Sequence, residues 1–154
     1  MLDRDGRALF SALQHKEGID VIRPLVTPER AALKDPYYRL KPLFWALSYG
    51  ASPEVVKTLL SAHPEAANEK HPTEGWTPLH YVERLDPETV QLLLERCPGA
   101  VKEQDAGGEL PLHWAAEHGA LEAARLLLQA YPDGAQVEDH LGRLPVRMAA
   151  DGEV

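Results

Sequence analysis

The stretch GELPLHWAAEHG, residues 108–119, seats His113 between Pro-Leu and Trp114, just ahead of two alanines. A histidine so placed reads as a catalytic base, a metal ligand or a structural peg, and the rest of the chain has to decide. Its relatives lie one period away: GWTPLHYV starts 33 residues earlier at Gly75, and GRLPVRMA starts 34 residues later at Gly142. RLKPLFWAL, residues 39–47, carries the pattern with Phe44 in the histidine place, and RALFSAL, residues 7–13, fits it loosely. A second marker keeps the same time: Pro28, Pro64, Pro98 and Pro132 recur with steps of 36, 34 and 34. Two independent markers sharing one period identify a repeat array, and that changes the meaning of every residue inside it.

Within each unit the local signals are helical. Proline suits a helix's first turn, where its missing N–H has no partner to lose, and alanines and leucines recur at three- and four-residue spacing. First helices are expected near 8–15, 42–49, 78–85, 111–118 and 145–151, and second helices near 18–26, 53–62, 87–96 and 121–130. The stretches PEAANEKHPTEGWT and its equivalents read as projecting loops, not strands. The leucine-rich faces of VVKTLL, TVQLLL and AARLLL are wider than a two-helix unit can cover, so neighbouring units must cover them. An all-α solenoid follows, whose stability is a sum of unit and interface terms. The reading is a single domain, residues 1–154, with units at about 5–38, 39–74, 75–107 and 108–141 and a partial one at 142–154. The N-terminal unit, with Arg4, Arg7, Lys16 and Glu17, has the polar look of a cap, and the short last unit suggests either a trimmed array or a cap with Asp151 and Glu153 in solvent.

These residues resemble the ankyrin repeat, whose unit of about 33 residues carries G-x-T-P-L-H-x-A, a glycine turn and a leucine-rich second helix. GWTPLHYV departs only at Val82, and GELPLHWAAEHGALEAARLLL adds Gly119 at the turn between helices. Leu110 and Leu144 replace the motif threonine, Phe44 and Arg147 the histidine, and Asp86 the turn glycine of the third unit. Each second helix ends in Xaa-Pro, which should stop it, because the residue before proline avoids the helical region. The resemblance implies that His80 and His113 bond backbone groups across neighbouring loops. It also implies a non-catalytic module that binds a partner protein or peptide.

Composition agrees with that class. Twenty-four Asp and Glu against 16 Lys and Arg give a net charge of -8 without a basic cluster, which disfavours nucleic acid and anionic lipid. The single cysteine, Cys97, forms no internal disulfide, the first residues are charged where a signal peptide would be apolar, and no run approaches a membrane span. These features point to an intracellular home, cytoplasmic or nuclear, and a monomer is expected. Neither a nucleophile with its base nor paired carboxylates stand out, so no enzyme activity and no cofactor are expected. His15, His63, His71, His118 and His140 sit in differing repeat contexts without metal-ligand spacing, so no metal site is expected. Two rival readings are a histidine-based metal or hydrolytic enzyme, and a structural spacer or trimmed or engineered segment of a larger protein.

Carried over from the resemblance, the partner face comprises loop tips and the exposed side of the first helices. In the second unit these are Tyr37, Tyr38 and Leu40, then Ser48 and Tyr49. The third offers Thr73, Glu74 and Trp76, with Arg84 and Leu85. The fourth gives Ala106 and Glu109, then Glu117 and His118, and the fifth His140, Leu141 and Arg143. The residues after the histidine place, Trp45, Tyr81, Trp114 and Met148, superpose as a column that either packs the first helices or forms an aromatic ridge.

Overall fold

The computed structural model describes residues 4–147, and proline opens most of its helices. Unit one holds α1 (Arg4–Gln14), α2 (Ile19–Ile22) running into a 3₁₀ turn at Arg23–Leu25, and the short α3 (Pro28–Ala31). Unit two pairs α4 (Pro42–Ser48) with α5 (Pro53–Ala62), and unit three pairs a 3₁₀ helix, Pro78–Arg84, with α6 (Pro87–Arg96). Unit four pairs α7 (Pro111–Glu117) with α8 (Leu121–Ala130), and the chain turns helical again at 145–147. The expected continuation of that last helix, with Met148, Asp151 and Glu153, lies outside the described residues. There is no strand among the described residues.

First helices stack in one row, α1 on α4, α4 on Pro78–Arg84 and that helix on α7, while α5, α6 and α8 stack in the other. Leu9, Leu47, Val56, Leu60, Val82, Val90 and Leu127 lie between the rows, each at most 1 % exposed, in one continuous apolar cluster. Removing a leucine side chain from water contributes roughly 1.5–3 kcal/mol, and here a neighbouring unit completes the cover.

The prolines do more than stop helices. His63, Cys97 and Tyr131 leave the helical region as expected (φ near -145°, -141° and -147°), but Pro64, Pro98 and Pro132 then open five-residue 3₁₀ turns. Those turns bury Ala66, Ala67, Ala100 and Val101. Cys97 itself is buried, its thiol donating to Asn68 Oδ1.

Unit three departs from its neighbours for a reason of length. α4 is closed by Gly50 and α7 by Gly119, each two residues past the helix end and with positive φ, and the amides of Ala51 and Ala120 bond back to Ala46 and Ala115 at 2.9 Å. Only Leu85 and Asp86 separate the two helices of unit three, leaving no room for that closure. A 3₁₀ helix rises about 2.0 Å per residue against about 1.5 Å for an α-helix, so tightening Pro78–Arg84 recovers the missing length. Tyr81 (φ -79°, ψ 16°) takes up the kink. Asp86 accordingly serves as a cap and not as a stand-in for the turn glycine: its carboxylate accepts the Thr89 N–H at 2.9 Å.

His80 and His113 tie unit to unit. The imidazole Nδ1 accepts the N–H of Thr77 in one case and of Leu110 in the other, at 3.0 Å each. That leaves the proton on Nε2, which donates to the carbonyl of Glu109 or Arg143 in the following loop, at 3.1 and 3.2 Å. Phe44 has no such donor and packs edge-on against the rings of His71 and Tyr81 instead. Burial holds both histidines below their ordinary titration range. The folded protein therefore resists protonation that the unfolded chain accepts near pH ~6.5, so their contribution is complete above that pH and is lost on acidification. A His80→Gln/His113→Gln variant is expected to be less stable at neutral pH but to lose less on going from about pH 7 to 5, as read from denaturant midpoints.

Candidate functional site

The loop tips are built by one device. The amides of Asp35, His71, Asp105 and Asp139 each bond forward to the carbonyl of Leu40, Trp76, Glu109 or Arg143, closing four tips alike. Asp35 Oδ1 accepts the N–H groups of Tyr37 and Tyr38 at 3.0 and 2.7 Å, and its Oδ2 those of Leu40 at 2.8 Å and the Trp45 indole at 3.3 Å. Asp105 does the same for Gly107 and Glu109 (2.9 Å each), with both Trp76 and Trp114 indoles on its other oxygen at 3.2 and 3.0 Å. Asp139 takes Leu141, Arg143 and the Arg143 guanidinium, and although burial alone would push its carboxyl up, these bonds hold it below the usual range. In unit two the imidazole of His71 substitutes, its Nδ1 facing Thr73 and Glu74.

These four residues stand seven positions after each period-setting proline, in DPYYR, HPTEG, DAGGE and DHLGR. The signal was in the sequence but falls in stretches read only as loops. An Asx turn there explains why those loops have a fixed shape.

Adjacent tips are also joined to each other. Ala106 N–H donates to Glu74 O and His140 N–H to Gly107 O, both at 2.9 Å, and Arg143 reaches back to Glu109 at 3.0 Å. Burial and Asp105 push the Glu109 carboxyl up, against the opposing pull of Arg143. The residue just before the closing carbonyl of each tip has positive φ: Gly75, Gly108, Gly142 and, in the second unit, Arg39 at 61°. A side chain in the left-handed region costs roughly 1–2 kcal/mol. Arg39→Gly is therefore expected to raise the unfolding free energy by about 1 kcal/mol, less the glycine's entropy in the unfolded chain.

The expected contact residues divide into three groups. Exposed ones are Tyr37, Tyr38, Thr73, Glu74, Arg84, Ala106, Glu117, His118, His140 and Leu141. Leu40, Trp45, Ser48, Tyr49, Leu85, Glu109, Trp114 and Arg143 are half-buried, as is Trp76, whose indole is tied to Asp105 and packed edge-on to Trp114 at 4.9 Å. Tyr81 is buried between Phe44 and Trp76, so at that place the column packs helices and presents no ring to a partner. The Trp76 indole N–H is already taken by Asp105, which leaves only the outer part of its ring in solvent.

An aromatic patch stands open at the first two units, with Arg84 of unit three at its edge. Trp45 packs against Phe10, Tyr38 and Tyr49, with centroids 5.6, 6.2 and 5.8 Å away. It walls two clefts. One, about 320 Å³, is lined by Tyr38, Leu40, Ser48, Tyr49 and Arg84; the other, about 380 Å³, by Arg7, Phe10, Gln14, Pro36 and Tyr37 among others. Tyr37 is 87 % and Tyr38 65 % exposed.

Among the described residues, no group of three His, Cys, Asp or Glu side chains is placed to hold a metal ion, and no helix is long and apolar enough to cross a membrane. A family model described as ankyrin repeats (3 copies) matches residues 43–140. A search of curated proteins gave no match.

Proposed function

The chain belongs to the ankyrin-repeat family, whose members are generally protein-interaction modules and typically not catalysts, and from that premise we propose that it binds a partner protein or peptide through its loop tips and the hollow face of its first helices. The observation that carries the reading is the exposure of Tyr37 and Tyr38 beside the Trp45 clefts. Two neighbouring tyrosines in solvent work against solubility unless a partner covers them, and tyrosine is among the commonest binding hot spots. Tips braced by Asp35, Asp105 and Asp139 are pre-organised, which lowers the entropy lost on binding. Thr73, Glu74, Ala106, His140 and Leu141 extend the contact along the tips, and Glu117 and His118 along the helices. A single buried cysteine suits an intracellular setting, and the protein acts as a monomer without metal or cofactor.

Protein fragments displayed on phage and selected on the wild type supply a ligand for the test. Against the selected fragment, a Tyr37→Ser/Tyr38→Ser variant with an unchanged thermal midpoint is expected to bind about 30-fold more weakly, the scale of one aromatic hot spot. Equal affinity would place the contact elsewhere.

A further inference from the structure

The charged groups with hydrogen-bonding capacity left at the Trp45 clefts are arginines, in a protein that is acidic overall. The chain carries a net charge of -8, yet the ionised side chains lining the two clefts are Arg7, Arg84 and Asp35. Asp35 is 3 % exposed, and both its oxygens are already taken by four N–H groups. It offers nothing to a ligand. Arg7 is exposed and has no ion-pair partner among the described residues. Arg84 gives Nε to Glu83 and one Nη1 proton to Ser48 O, both at 2.9 Å, which leaves three of its five N–H donors open at the cleft. Glu83 is in turn shared with His118 at 2.7 Å.

The two arginines belong to units one and three, two stacking steps of about 10 Å apart, and Trp45 with the two tyrosines lies between them. An extended chain covers that span in about six residues. Nucleic acid also bears the required charge, but a surface this acidic elsewhere repels a polyanion that must lie along it.

We propose that these clefts take an extended acidic peptide, with a carboxylate at each end of a short segment and an apolar side chain between them set against Trp45. The proposal rests on the protein-binding reading above and specifies its partner. Guanidinium and carboxylate match in planar, bidentate geometry, and the aromatic walls keep that pairing partly desolvated.

A random-peptide phage library selected on the full chain tests it. The expected result is enrichment of peptides with Asp or Glu on both sides of an aromatic or aliphatic residue. Affinity for a synthetic copy of the leading peptide should fall about five- to tenfold in Arg7→Gln and again in Arg84→Gln, and should fall with added salt. The Arg7 side chain makes no hydrogen bond or ion pair with the described residues, so its variant keeps the test valid even if Arg84→Gln loses stability. Basic or uncharged consensus peptides, or affinity unmoved by both arginine variants yet lost in Tyr37→Ser/Tyr38→Ser, overturn the acidic specificity and leave the binding reading standing. Affinity unmoved in all three variants, or no enrichment, overturns the proposal, and the fragment selection above then decides the binding reading by itself.

Discussion

Asp105→Ala is expected to lower the unfolding free energy by about 4 kcal/mol, the largest effect of any single change considered. The buried carboxylate serves four donors at once, two loop amides and the indoles of Trp76 and Trp114. Trp76 lies in unit three while Asp105 and Trp114 shape the next loop and helix, so the carboxylate joins two units. Each buried donor left without a partner costs roughly 1–3 kcal/mol, and water entering from the loop side offsets part of the sum. Asp105→Asn keeps one acceptor oxygen and should lose about half as much. The check is a urea titration together with the indole N–H resonances. Those of Trp76 and Trp114 should move, while that of Trp45, held by Asp35, should not.

Gly108→Ala comes next, at roughly 3 kcal/mol. Gly108 has φ +80°, and a Cβ there would come within 2.5 Å of the His140 ring and 2.8 Å of the His140 backbone nitrogen. The exposed imidazole can swing aside, but the nitrogen cannot, because its N–H is the bond to Gly107 O that joins the two tips. Left-handed strain of about 1–2 kcal/mol adds to the lost inter-tip hydrogen bond, worth about 1 kcal/mol. Gly142 holds the same motif place with φ +72° and nothing within 4 Å of its Cβ, so Gly142→Ala should show the strain alone, about 1–2 kcal/mol. Thermal midpoints of the two variants, side by side, separate the clash from the strain. For a chain of this size the larger loss corresponds to about 6–12 °C.

The stack was legible in the sequence because its information is periodic. Proline at Pro42, Pro53, Pro78, Pro87 and Pro111 marked helix starts, and leucines at helical spacing showed which faces need a neighbour. The span 87–96 for α6 and 121–130 for α8 could be read directly. Asp35, His71, Asp105 and Asp139 keep the steps of the prolines, 36, 34 and 34, but a lone aspartate in a polar loop looks like solvated charge until its donors are seen. The 3₁₀ form of Pro78–Arg84 was hidden for another reason: it follows from a link two residues shorter than the one in unit two, a constraint on distance and not on residue type. The partner face was the least legible part. Tyr81 has the side chain of a binding residue, and only its three-dimensional neighbours, Phe44 and Trp76, show that it is buried; the bond that ties the Trp76 indole to Asp105 is equally invisible in the sequence.

The motif histidines are neutral pegs between stacked units. Long-range ¹H–¹⁵N spectroscopy of the imidazoles near pH 7.5 tests this most directly. His80 and His113 should both show a protonated Nε2 and a bare, acceptor Nδ1, unchanged when zinc is added. A proton on Nδ1, a charged ring at that pH, or a zinc-dependent shift at either histidine would contradict the account.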